Sequence, residues 1–175
     1  LAGTRLKTDL RDIGASITIL NQELLDDTAS TDLADVLLMT PNAEVSGPNG
    51  NFSGVQGFGG GNPIPEGESD RQSGGKSRIR GLVPADLTRD YFLTDVPFDT
   101  YNVDRIAVQR GANSALFGIG SPGGIVNHST IRADFLGNRG RVRFETDEYG
   151  TARGSFRYNY AAMEDRLALM VAGLY

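Results

Sequence analysis

The chain has 175 residues, 39% of them hydrophobic, with 23 glycines, no cysteine and a formal net charge of −5. That length can bury one core with an appendage, the missing cysteine excludes disulfides and thiolate metal sites, and no run reaches the ~20 apolar residues of a spanning helix. The negative charge argues against a nucleic-acid partner, which needs a basic face, and the glycine excess indicates a loop-rich β protein.

Leu1 to Asp12 is polar and reads as extended chain, without the charged and apolar regions of a signal peptide. Ser16 to Leu20 alternates with β-branched residues and predicts a strand. Gln22 to Asp26 suits a helical turn. Ser30 or Thr31 is the expected cap of the next helix, with Asp32 in its first turn and Leu33, Val36 and Leu37 as its apolar stripe. Pro41 marks its stop, and Asn42 can take a positive φ.

Gly47 to Lys76 holds ten glycines and three prolines, with too few large apolar groups for a packed core. It reads either as a plain surface loop or as a functional one. Order resumes at Ser77-Arg78-Ile79-Arg80-Gly81-Leu82, with Ile79 facing away from its arginine neighbours, and again at Tyr91 to Pro97.

Val103 to Thr130 is the most informative stretch. Ile106 and Val108 alternate with Ala107 and Gln109, the pattern of a half-buried strand, which runs to Arg110-Gly111. Asn113 to Phe117 can make one helical turn that Gly118 stops. Gly120, Pro122, Gly123 and Gly124 turn the chain into Ile125-Val126-Asn127, another strand. Gly118, Gly120 and Gly123 also spell the dinucleotide-binding fingerprint. That motif needs a helix after its glycines, whereas a β-branched segment follows here.

Beyond Gly137, three segments near ten residues long alternate apolar with polar. Val142 and Phe144 oppose Arg141 and Arg143; Phe156, Tyr158 and Tyr160 oppose Arg153, Arg157 and Asn159; Leu167, Leu169 and Val171 form a third apolar face. This is the pattern of transmembrane β-barrel strands, although a soluble meander on a core also alternates.

Catalytic chemistry is sparse. His128 is the only histidine and reads as a structural hydrogen-bonding group; Asp26-Asp27 and Asp32-Asp35 read as solvated or capping carboxylates. No metal-ligand spacing appears, and Ser121 does not lie in a nucleophile elbow. No catalytic residue, metal site or cofactor is expected. Arg78, Arg80 and Arg110 lie at strand ends, Arg80 and Arg110 directly before glycine, where a planar fork can pair bidentately with a carboxylate.

VDRIAVQRG, NSALFG and SPGGIVN follow one another within 28 residues. Their order and spacing resemble the plug domain of TonB-dependent outer-membrane receptors, with its "(I/V)ERIEV-RGP-S-LYG" and "GGVIN" signature. Ala2-Gly3-Thr4-Arg5, SITILNQELL, TDLADVLLMTPNAEV, Arg80 within "I-R-G" and the Tyr91–Pro97 segment add to the resemblance. Asn42 and Thr94-Asp95 depart from the usual glycine-containing turns.

The resemblance implies an α+β plug, a small mixed sheet with short helices and long loops, over residues 1–137. Residues 138–175 would be the first two to three strands of an antiparallel transmembrane barrel, so the chain is expected to be a fragment of a plugged barrel of about 22 strands. It implies outer-membrane localisation and uptake of a scarce solute, possible classes being ferric siderophores, glycans or other nutrients. It also implies a TonB-type energy-coupling partner acting through a segment upstream of Leu1. Residues 47–76 become an apical loop, with Phe52, Gln56, Phe58 and Asn62 as ligand contacts and Asn51 as a further donor. Arg80 and Arg110 become plug–barrel locks facing wall glutamates, and Gly111, Gly118, Gly123 and Gly124 become structural turn residues. Two rivals are a soluble periplasmic binding or adaptor module, whose strands over 142–175 would pack on its own core, and a nucleotide-dependent enzyme with a helix starting near Gly123.

Overall fold

The computed structural model describes residues 9–45, 50–51, 77–96, 99–111, 120–147, 150–163 and 166–175. The strands are β1 (Ser16–Asn21), β2 (Ala43–Val45), β3 (Ser77–Ile79), β4 (Asp86–Arg89), β5 (Phe92–Leu93), β6 (Val103–Arg110), β7 (Gly124–Thr130), β8 (Arg139–Thr146), β9 (Ala152–Met163) and β10 (Leu167–Leu174); the helices are α1 (Gln22–Asp27) and α2 (Leu33–Leu38). A five-stranded sheet runs β1-β6-β7-β4-β5, with β2 and β3 as a separate pair and β8, β9 and β10 as a three-stranded sheet. In the large sheet β4 and β7 are parallel and the other pairs antiparallel, so it is mixed.

β6, expected to be half-buried, is covered on both faces, Ala107 and Gln109 as well as Ile106 and Val108, and so is β7. Ile106 and Val108 on β6 and Val126 on β7 meet Leu20 of β1, and α1 and α2 close over them with Leu25, Val36 and Leu37. Each helix has six residues, too short to persist alone, so both depend on capping and this packing. Asn21 caps α1, its Oδ1 accepting from the Leu24 amide at 3.0 Å. The cap expected at Ser30 or Thr31 falls instead on Asp32, whose Oδ1 accepts from the Asp35 amide at 3.0 Å. Asp35 answers by accepting from the Thr31 amide at 2.9 Å. A carboxylate at the positive end of the helix is the stronger cap, while Ser30 is buried and its Oγ lies 2.8 Å from Thr28 Oγ1. Asn42 has φ 60°, which an asparagine tolerates.

β4 and β5 join through a two-residue turn at Asp90 and Tyr91, with φ values of 49° and 69°. That suits a primed hairpin turn, although neither residue is glycine. Asn127 holds the turn, its Oδ1 accepting from the Tyr91 amide at 2.7 Å and from Thr88 Oγ1 at 2.9 Å.

Candidate functional site

Arg110 ends β6 directly opposite Ser16, the first residue of edge strand β1. Its guanidinium donates to Ser16 Oγ at 2.9 and 3.1 Å, to Thr18 Oγ1 at 2.8 Å and to the Pro41 carbonyl at 3.1 Å. One planar fork thus fastens the entry of β1 to the turn after α2. Burial first, and then the like charge of Arg80, lowers the Arg110 pKa from its ordinary value. It remains a cation at physiological pH.

Arg80 is exposed, with φ 56°, at the turn after β3. It lies beside Gly111, where a Cβ would stand 3.1 Å from Arg80 Nη1. Two guanidiniums therefore share one corner of the large sheet. Neither meets a carboxylate among the described residues. Arg78 instead pairs with Glu44 across β2 and β3.

A second polar site joins the helices to the three-stranded sheet. Asp26, near the end of α1, accepts from Arg143 Nη1 at 3.3 Å and Arg157 Nη2 at 3.1 Å, and also pairs with Arg141. Asp99, before the short 3-10 turn Thr100–Asn102, pairs with Arg153. Glu145 lies between Arg143, at 2.6 Å, and Arg153, at 3.2 Å. These arginines come from the inward positions of β8 and β9, on the opposite parity from the exposed aromatics. In sequence Asp26 reads only as a solvated or capping carboxylate. Alternation shows that Arg141, Arg143, Arg153 and Arg157 share a face, but not that Asp26, 115 residues before Arg141, lies beneath it.

The opposite face is apolar and uncovered. Val142, Phe144, Phe156, Tyr158, Tyr160, Leu169 and Val171 are all exposed, Phe144 to 82%. The soluble-module rival required these side chains to pack on the chain's own core; they point away from it. Outward glycines sit directly opposite aromatics in the ladder: Gly154 opposite Phe144, Gly140 opposite Tyr158, and Gly173 opposite Phe156. A Cβ at 140 would come within 2.9 Å of the Tyr158 ring, and one at 154 within 3.4 Å of Phe144. Each ring lies across its glycine and covers that backbone.

Asn159 secures the connection between the sheets. It is buried on β9, its Nδ2 donating to the carbonyls of Asp134 at 2.9 Å and Gly137 at 2.8 Å, and its Oδ1 accepting from the Asp134 amide at 3.0 Å.

The glycines of the other turn have clear geometric duties. Gly124 has φ 119°, and any Cβ there would penetrate the Gln109 carbonyl; a Cβ at Gly123 would crowd the Val83 carbonyl. Gly111 has φ 96°. Gly118 and the loop positions Phe52, Gln56, Phe58 and Asn62 lie outside the described residues. Asn51 spends its amide on its own fold, accepting from the Val45 amide at 2.8 Å and donating to the Ala43 carbonyl at 3.2 Å. The nucleotide rival fails because Gly124–Thr130 is strand, so no helix N-terminus follows the glycines.

His128 is buried in β7, its Nε2 accepting from Arg89 Nε at 3.0 Å. Burial, reinforced by Arg89 and opposed by Asp90, lowers its pKa to about 4. It is therefore neutral at pH 7, as the accepted bond requires. Among the described residues no cluster of acidic or histidine side chains could hold a metal, and no helix is long and apolar enough to cross a membrane.

The family described as TonB-dependent Receptor Plug Domain matches residues 9–125. A curated relative, the probable TonB-dependent siderophore receptor PiuA of Acinetobacter baumannii, is 28% identical over 152 residues, covering 85% of this chain and 18% of that protein. The alcaligin outer-membrane receptor FauA of Bordetella pertussis aligns with a TM-score of 0.76 at 17% identity, covering 99% of this chain and 28% of that one. The closed form of the ferric-catecholate import receptor Fiu of E. coli aligns at 0.73 and 17% identity, covering 99% and 23%. The chain thus spans between 18% and 28% of the length of these proteins.

Proposed function

Because this chain belongs to the TonB-dependent receptor plug domain family, we propose that it closes the lumen of an outer-membrane β-barrel and opens it for energy-coupled uptake of a scarce solute. One observation carries the reading: β8 and β9 turn arginines inward onto Asp26 and Asp99 while their apolar side chains face outward uncovered. A wall with a plug on one side and lipid on the other requires that division. The helices and the five-stranded sheet are then the plug, and β8 to β10 are the first wall strands.

Release follows from the order of contacts. A TonB-type protein pulling on the segment upstream of Leu1 loads β1 first, because β1 is an edge strand entered at Ser16. Arg110 resists at that residue and at Thr18. Next comes α1, held to the wall through Asp26. Polar links of this kind hold the plug without an apolar seam and can be remade after release. Arg80 and Arg110 also present two cations to wall carboxylates supplied by strands outside these residues, and Phe52, Gln56, Phe58 and Asn62 meet the incoming solute.

A relative named as a probable siderophore receptor favours a ferric siderophore over a glycan as that solute. The test is uptake of radiolabelled ferric siderophores by iron-starved cells carrying the full receptor, with and without the energy-coupling protein. The reading expects accumulation only when both are present. Uptake independent of the coupling protein would refute the energy-coupled mechanism; coupled uptake of a glycan but of no ferric siderophore would refute the solute class.

A further inference from the structure

We propose that Arg141, Arg143 and Arg157 form an oxyanion-binding site on the lumen wall, occupied by the plug's own Asp26 at rest and offered to a carboxylate- or phosphate-bearing solute when α1 is drawn away. This rests on the reading of α1 as plug and β8–β9 as wall.

Arg141 and Arg157 are direct partners in the β8–β9 ladder. Like charges placed opposite one another destabilise a sheet, so this pair needs an anion between them. Among the described residues each has Asp26 as its one ionic partner. Arg143 sits two residues along β8 on the same face and reaches the other Asp26 oxygen. One carboxylate therefore serves three guanidiniums, while Glu145 is shared by Arg143 and Arg153.

Removing the plug would leave four wall arginines against Glu145 alone. The ladder fixes their backbones, so after Asp26 departs the three side chains remain within reach of one another and can converge again on an incoming anion. Ser155 lies beside them in the same small cleft. Converging planar forks suit a group with several anionic oxygens, such as a polycarboxylate or a phosphate. Asp26 thus acts as a resident stand-in, and a solute passing the displaced plug would meet the site it vacates.

The test is calorimetric titration of the purified full receptor with citrate, and separately with inorganic phosphate, at low salt. Asp26→Ala should bind at least one of them tenfold or more tightly than wild type. That gain should vanish in Asp26→Ala combined with Arg141→Gln and Arg157→Gln. A preference for citrate assigns the site to polycarboxylates, and a preference for phosphate assigns it to phosphates. Should Asp26→Ala fail to fold, Asp26→Asn keeps the side-chain shape and should show the same gain. Equal affinity in wild type and the folded variant would overturn the proposal, as would a gain that survives loss of both arginines. The transport reading is judged separately by uptake: lost coupling dependence with the gain intact overturns that reading, and intact coupling without the gain overturns this one.

Discussion

Arg110 and Ser16 are register partners at the open end of the β1–β6 ladder, and the arginine's Nε and Nη2 both donate to the serine hydroxyl, at 3.1 and 2.9 Å. The strand that would receive a pull from upstream is thus clasped at its first residue. Hydrogen bonds from a charged donor contribute about 1.5–3 kcal/mol when well sheltered; this side chain is half-buried, so about 1–2 kcal/mol is expected. Arg110→Ala should speed amide exchange of Ile17 to Leu20 by roughly five- to thirty-fold while leaving β7 unchanged. Arg110→Lys should recover part of the protection, because one ammonium cannot span Ser16, Thr18 and Pro41. Unaltered exchange in Arg110→Ala would remove the clasp from the mechanism.

Asp26 neutralises a face that otherwise holds like charges. Removing one partner from a buried ion pair costs about 3–5 kcal/mol, and exposed pairs contribute about 0–1 kcal/mol. Asp26 is 23% exposed, so about 2 kcal/mol of plug seating is expected to be lost in Asp26→Ala. Protease cleavage of the plug in membrane-embedded receptor should accelerate, and Asp26→Glu should restore much of the protection. Equal cleavage rates in wild type and Asp26→Ala would show that the arginine contacts do not hold the plug.

The buried His128 makes stability depend on acidity. Its folded pKa, about 4, lies below the ordinary value of 6.5. The unfolded chain therefore binds the proton more readily, and folding is penalised as pH falls. Stability from this group is complete above about pH 6.5 and declines toward pH 4, where the loss reaches roughly 3 kcal/mol. Denaturant midpoints at neutral pH and at pH 4.5 should differ more in wild type than in His128→Gln. The same difference in both would assign the acid sensitivity elsewhere.

Gly124 and Gly137 form a matched pair, with φ of 119° and 117°. Space separates them: a Cβ at 137 meets nothing within 4 Å, whereas one at 124 would penetrate the Gln109 carbonyl. Alanine at 137 should cost about 1–3 kcal/mol from backbone strain alone. Alanine at 124 adds a clash with the β6 backbone and should cost several kcal/mol, or prevent folding. Comparable melting temperatures for the two variants would contradict the close approach of β6 and β7.

Local patterns in the sequence foretold local structure well. Period-2 alternation located β1, β6 and both faces of β8 to β10, and a β-branched run bounded by glycines located β7; β6 and β7 prove buried on both faces, because Ala107, Gln109, Asn127 and Ser129 are covered as well as their apolar neighbours. The cap falls on Asp32, one residue past Thr31 and two past Ser30, since serine, threonine and aspartate all serve as caps and the carboxylate gains from the helix dipole as well. Partnership was harder to read. Asp26 with Arg157, and Arg110 with Ser16, join residues far apart in the chain, and alternation says nothing about which distant element a face will meet. The opposed aromatic and glycine positions, such as Phe156 and Gly173, also needed the register before their pairing could be seen.

Two faces of one strand provide the most direct test of this arrangement. These 175 residues contain no tryptophan, so a tryptophan placed in β9 adds a distinct signal to that of the full receptor. Phe156→Trp and Ser155→Trp would each be reconstituted in bilayers of brominated lipid, and the added fluorescence compared with that in unbrominated lipid. A plug seated against a barrel wall predicts strong quenching at position 156 and little at 155. Equal quenching at both positions, or quenching at 155 alone, would contradict a wall with lipid outside and the plug within.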